Sequence, residues 1–158
     1  MIGSKTPAAS LTRRALFLSG AVGLAGAAAA RSAARAGDDG KDAVALVKRL
    51  TGKTPVESDR LRMAIPRSFP NGYTVPLSLD IDSPMTESDH VRYIRVVAPR
   101  NPLIDVATFH FVVRRSRPRV STRIRLAMPQ FVLAFAELSD GTLLLAKRWC
   151  EVATNGCA

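Results

Sequence analysis

The 158-residue sequence predicts an all-β protein: an immunoglobulin-like β-sandwich of about seven strands with a short N-terminal helix. Three observations lead to that class. From Arg60 onward the apolar residues fall into short runs with a period of two, the mark of half-buried strands. Gly, Pro, Asn and Asp separate these runs at sandwich-like spacing. Helical spacing is confined to one stretch ahead of them. There is no Cys-Trp-Cys arrangement, so the likeness to immunoglobulin domains is one of architecture only.

Asp42 can cap a helix running to about Leu50, with Val44, Leu46, Val47 and Leu50 apolar at helical spacing and Thr51-Gly52 ending it. Residues 60–65 make the first strand. Next, Tyr73, Val75, Leu77, Leu79 and Ile81 share one face, and Thr74, Pro76, Ser78, Asp80 and Asp82 the other. Pro76 marks one side of that strand as an edge or a bulge. Ser83-Pro84 leads into a strand over 91–98, and Pro99-Arg100-Asn101-Pro102 turns the chain into one over 106–113, with Phe109 and Phe111 inward. Over 119–126, Val120, Thr122, Ile124 and Leu126 alternate with Arg119, Ser121, Arg123 and Arg125. A strand over 131–138 follows Pro129, Ser139-Asp140-Gly141 forms a tight hairpin turn, and 143–152 is the last strand.

The front of the chain reads as an address. Arg13-Arg14 precedes bulky apolar residues, a Gly/Ala-rich run extends from Ser19 to Ala30, and Ala34-Arg35-Ala36 offers a small-x-small cleavage pattern. A charged start, a short apolar stretch and a small-residue exit make an export signal rather than a membrane anchor. The paired arginines give it twin-arginine character, with an ordinary secretory signal as the alternative. The expected organisation is a cleaved signal over 1–36, a sandwich domain over 37–152 and a mobile C-terminal arm over 153–158. The mature protein is expected in the periplasm, without membrane insertion. The signal removes five of the 23 basic residues and none of the 13 acidic ones, so the net charge drops from +10 to +5. Export and the smaller charge both argue against nucleic acid as a partner.

Two cysteines remain, Cys150 and Cys157. Cys157 lies in Thr154-Asn155-Gly156-Cys157-Ala158, behind an Asn-Gly pair that resists regular structure. A thiol on such a tail suits a nucleophile or covalent tether. The nearby terminal carboxylate disfavours its thiolate, so activation is expected from a partner's pocket. Cys150 is either packed at a strand end or available as a second thiol. A Cys150–Cys157 disulfide also fits the spacing in an oxidising compartment, although so small a loop would be stabilised little.

Little else carries chemistry. His90 and His110 sit on separate segments, too few to assemble the ligands of a metal site. The chain has no Gly-rich phosphate loop, no haem-attachment motif and no nucleophile elbow, and its carboxylates are scattered. No cofactor is expected and no catalytic residue is assigned, which makes the chain a non-enzyme. The run Arg114-Arg115-Ser116-Arg117-Pro118-Arg119 reads as a solvated hairpin rim, or as an electropositive surface for an acidic protein or for steering small anions.

Several blocks resemble the SoxY family of sulfur-carrier proteins. They are residues 71–77 (Asn-Gly-Tyr-Thr-Val-Pro-Leu), Ser83-Pro84-Met85-Thr86, Asn101-Pro102 with 106–111, 120–127, and Ala136-Glu137-Leu138-Ser139-Asp140-Gly141. They occur in order over nearly all of the mature chain. The resemblance implies an immunoglobulin-like sandwich that forms a heterodimer with a second small β-protein, SoxZ. It implies a terminal cysteine holding thiosulfate and its oxidation intermediates as a covalent adduct, loaded by a c-type cytochrome and relieved of sulfate by a hydrolase. Cys157 would then be the attachment point, and Thr154, Asn155, Gly156 and Ala158 the arm. The family's arm reads Gly-Gly-Cys-Gly-Gly. Here Asn155 replaces the first glycine and Ala158 follows the cysteine, which is compatible with a divergent relative serving another enzyme set. The competing reading is an accessory module of a periplasmic quinoprotein dehydrogenase, with Cys150 and Cys157 joined in a disulfide.

Overall fold

The computed structural model describes residues 42–153. The predicted export signal and arm residues 154–158 lie outside them. Helix α1 spans 42–51. Nine strands follow among the described residues: β1 (Val56–Glu57), β2 (Leu61–Ala64), β3 (Ser68–Phe69), β4 (Val75–Ile81), β5 (Val91–Val97), β6 (Asp105–His110), β7 (Arg119–Ile124), β8 (Gln130–Leu138) and β9 (Leu143–Val152). They form two sheets. The larger has the order β1-β9-β8-β5-β6, with β3 also on β9; the smaller has the order β2-β4-β7.

The sheets face each other across one apolar core. The small sheet contributes Leu61, Met63, Val75, Leu77, Leu79, Ile81 and Ile124. The large sheet answers with Val91, Ile94, Val96, Val132, Ala134, Ala136, Leu138, Leu144 and Cys150. Alternation in β4 is complete: Val75, Leu77, Leu79 and Ile81 are buried while Pro76 and Ser78 face solvent. β8 and the first half of β9 do not alternate, because both of their faces are covered. Helix α1 lies on the far side of the large sheet. There Ala43 and Val47 close a second core with Val97, Leu133, Phe135, Leu143 and Leu145. A strand buried on both faces reads as a continuous apolar run. The helix ends as its sequence requires: Gly52 takes a positive φ of 74° and its N–H donates to the Lys48 carbonyl at 2.7 Å.

Two details differ from the sequence reading, and Pro76 meets it in a particular way. Pro76 belongs to a central strand, flanked by β2 and β7. It is tolerated because β2 pairs only with residues 78–81, so at Pro76 the ladder is one-sided. β6 stops at His110 instead of reaching Val113. Local bonds win there: the Val112 carbonyl accepts from the N–H groups of Arg115 and Ser116, and Ser116 Oγ accepts from Val112 N–H. Finally, β1 and β3 are additions. Each is a two-residue parallel pairing along the outer edge of β9, β1 at Leu144 and Leu145, β3 at Glu151 and Val152.

Candidate functional site

The predicted attachment residue Cys157 and its neighbours Thr154, Asn155, Gly156 and Ala158 lie outside the described residues. What is described is the platform from which the arm departs. β9 is held to its last residue: Cys150 pairs with Gln130, Glu151 with Ser68 and Val152 with Phe69. The Glu151 N–H also donates to the Arg67 carbonyl at 2.8 Å. Val152 is buried, and Ala153 is already exposed. Five residues of chain link Val152 to Cys157, a contour of about 17 Å.

The same end of the sandwich is finished by three connections. In the β3–β4 connection, Gly72 lies so close to Leu126 that a Cβ would collide with the Leu126 carbonyl oxygen, and it would also touch Val152. Its own carbonyl accepts the Leu126 N–H at 2.7 Å. Glycine is needed here for close backbone approach. In the β5–β6 connection, Asn101 donates to the Arg125 carbonyl at 2.8 Å and accepts from Ala127 N–H at 2.9 Å. Gln130, 1% exposed, joins all of this: its Oε1 accepts the Arg100 N–H at 2.8 Å, and its Nε2 donates to Asn101 Oδ1 at 2.9 Å. Around these pins stand exposed aromatic and cationic groups. The Arg125 guanidinium lies 4.9 Å from the Tyr73 ring centroid and that of Arg100 5.9 Å from Trp149, which meets Phe131 edge-on. The result is a hydrogen-bonded, electropositive rim beside the end of β9.

Cys150 is a free cysteine with no exposure, packed in the main core. Burial pushes its thiol pKa up. Such a sulfur is neutral and shielded, a core residue by environment. Pairing it with Cys157 would require the end of β9 to open. The histidines are apart in role: His90 Nδ1 is 3.0 Å from the Thr86 carbonyl oxygen, while exposed His110 leans on Tyr93 at 6.0 Å between ring centroids. Among the described residues no group of three or more His, Cys, Asp or Glu side chains is placed to hold a metal. Arg123 sits on the outer face of the small sheet opposite Pro76, whereas Arg125 belongs to the rim. Gln130 went unnoticed in the sequence; its signal was a lone polar residue opening an apolar run.

A family model, sulfur oxidation protein SoxY, matches residues 47–157 of this chain. Among solved structures, the sulfur carrier protein SoxY from Chlorobium limicola f thiosulfatophilum is similar, with a TM-score of 0.57 and 24% identity over 74% of this chain and 98% of that one. Superoxide reductases share the sandwich. Neelaredoxin from Ignicoccus hospitalis has a TM-score of 0.53 and 13% identity over 59% of this chain and 80% of its own. The enzyme from Nanoarchaeum equitans has a TM-score of 0.50 and 11% identity over 60% and 97%. At these identities the structures speak for the fold alone. Among curated protein sequences none matches. The family match covers more than half of the chain and includes its final cysteine: the chain belongs to the SoxY family of sulfur oxidation proteins.

Proposed function

We propose that this protein is a periplasmic sulfur carrier, exported by its twin-arginine-type signal, that tethers thiosulfate-derived sulfur on Cys157 and presents it to partner enzymes. The observation that carries this reading is that the family match runs through residue 157, so that Cys157 falls within it despite the altered arm. The platform agrees in character. β9 is anchored up to Val152, and guanidinium groups stand at the arm's root, where they favour anionic cargo. Cys150 is buried, which leaves Cys157 as the thiol suited to exchange.

The chemistry of loading is oxidative. The Cys157 thiol and thiosulfate give a cysteine S-thiosulfonate, one proton and two electrons, and the electrons pass to a cytochrome partner. Water then cleaves the S–SO3 bond, leaving a persulfide on Cys157 and releasing hydrogen sulfate; a hydrolase partner supplies that catalysis. The carrier contributes a tether, which replaces free diffusion of the intermediate with a raised local concentration. A SoxZ-like protein is its heterodimer partner.

Mass spectrometry of the purified protein after incubation with thiosulfate and the partner enzymes tests this. The expected result is a thiosulfonate or persulfide mass on the peptide containing Cys157, lost in Cys157→Ser, with partner binding and thermal stability unchanged. An adduct-free Cys157 in a system that oxidises thiosulfate would overturn the reading.

A further inference from the structure

The opposite end of the sandwich holds a cluster that an arm-based function leaves unused. A cleft of about 480 Å3 opens between the end of β4, the turn through Met85 and the β6–β7 connection. Arg62, Arg114, Arg115, Arg117 and Arg119 line it, against the carboxylates of Asp80 and Asp82. Asp80 is shared between Arg62 at 3.2 Å and Arg119 at 3.0 Å, and Arg114 reaches Glu87 at 3.2 Å. Arg115 and Arg117 are exposed and have no side-chain ion pair or hydrogen bond among the described residues. The lining thus carries three more positive than negative groups, and still two more when Glu87 is counted.

The cleft is also held in shape. Met85 and Arg114 are the only non-glycine residues with positive φ among the described residues, at 53° and 62°. They are joined: Arg114 N–H donates to the Met85 carbonyl at 3.0 Å, and both line the cleft. Behind the arginines, Pro118 is buried and its carbonyl accepts the Ile81 N–H at 3.0 Å. A solvated turn has no need of two residues in a sparsely populated conformation; a preorganised binding surface does.

The volume is within the range of ligand-sized pockets and far exceeds one small oxoanion. Planar guanidinium forks match carboxylates in pairs. The arm of the same chain is an unsuitable occupant: β4 spans about 20 Å between the two ends of the sandwich, beyond the arm's reach of about 17 Å. We propose that this cleft docks an acidic segment, rich in Asp and Glu, of a partner protein, at the end of the sandwich remote from the arm. The proposal stands whether or not Cys157 carries sulfur.

The test is fluorescence anisotropy of a labelled Glu-rich peptide titrated with the full chain. Binding is expected, with none for the Gln-rich counterpart. The double variant Arg115→Ala/Arg117→Ala should bind about tenfold more weakly, the size of two exposed charge pairs. Its thermal unfolding should be unchanged, because both side chains are exposed. Arg123→Ala, elsewhere on the small sheet, and Cys157→Ser should bind as the parent does. An unchanged affinity in the double variant would overturn the proposal, as would an equal loss in Arg123→Ala. So would displacement of the peptide by sulfate but not by chloride at matched ionic strength, which would mark a small-oxoanion site instead.

Discussion

Among the described residues, Glu137 is the charged side chain drawn farthest inside, 8% exposed on β8. Burial pushes its pKa up, but the Tyr93 hydroxyl donating at 3.0 Å and the cations of Lys53 at 3.3 Å and Arg92 at 2.8 Å outweigh that and hold the carboxyl below its ordinary range. The network ties the segment after α1 to the large sheet through Lys53, whose Nζ also donates to the Gly141 carbonyl. A carboxyl whose folded pKa is depressed stabilises the fold fully above its unfolded value, about 4.3, and the contribution disappears as pH falls through the folded pKa. Thermal melts across the acid range are therefore expected to fall more steeply for the parent than for Glu137→Gln. Parallel curves would remove Glu137 as a source of acid sensitivity. The two cysteines make the complementary point: type alone did not separate them, and burial of Cys150 did.

At the scale of elements, Gln130 decides how well the arm's end of the sandwich is built. It opens β8 and satisfies groups of the β5–β6 connection: the Arg100 N–H and Asn101 Oδ1. Gln130→Met keeps the volume but leaves Arg100 N–H without this acceptor, at a cost of about 1–3 kcal/mol. Denaturant unfolding should report that loss, and hydrogen exchange should speed up first over residues 99–102. Protection equal to the parent's would show that the pins are dispensable. Most of the elements were legible, since β4 and β7 alternate cleanly and α1 has its stripe and its glycine cap. β1 and β3 were not. Two residues contain no period, and each exists only because β9 presents an open edge beside it. The early end of β6 was equally hidden, for Val112 and Val113 favour a strand by type and are overruled by a turn that Ser116 closes.

For the whole molecule, the two ends of the sandwich carry separate groups of residues. The arm leaves beside Gly72, Asn101 and Gln130; the arginine cleft sits beyond the other ends of β4 and β7. No side chain is common to both, and sites so far apart usually contribute additively. Combining Cys157→Ser with Arg115→Ala/Arg117→Ala is therefore expected to give the sulfur-loading defect of the first and the peptide-binding defect of the second, each unchanged by the other. A coupling above about 0.5 kcal/mol in peptide binding would show that the ends communicate.

Local chemistry alone determined the sandwich class, the position of every strand longer than two residues, and the helix and its cap. These are properties of period, turn type and composition, which short windows of sequence contain. The family resemblance was also legible, because its motifs are runs of neighbouring residues. Tertiary structure decided the rest. It assigned Cys150 to the core, covered both faces of β8, placed Pro76 where a central strand lacks its second neighbour, and gathered Arg62, Arg114, Arg115, Arg117 and Arg119 around one cleft. Each of these depends on which distant strands become neighbours, and that is set by closure of the two sheets on a common core.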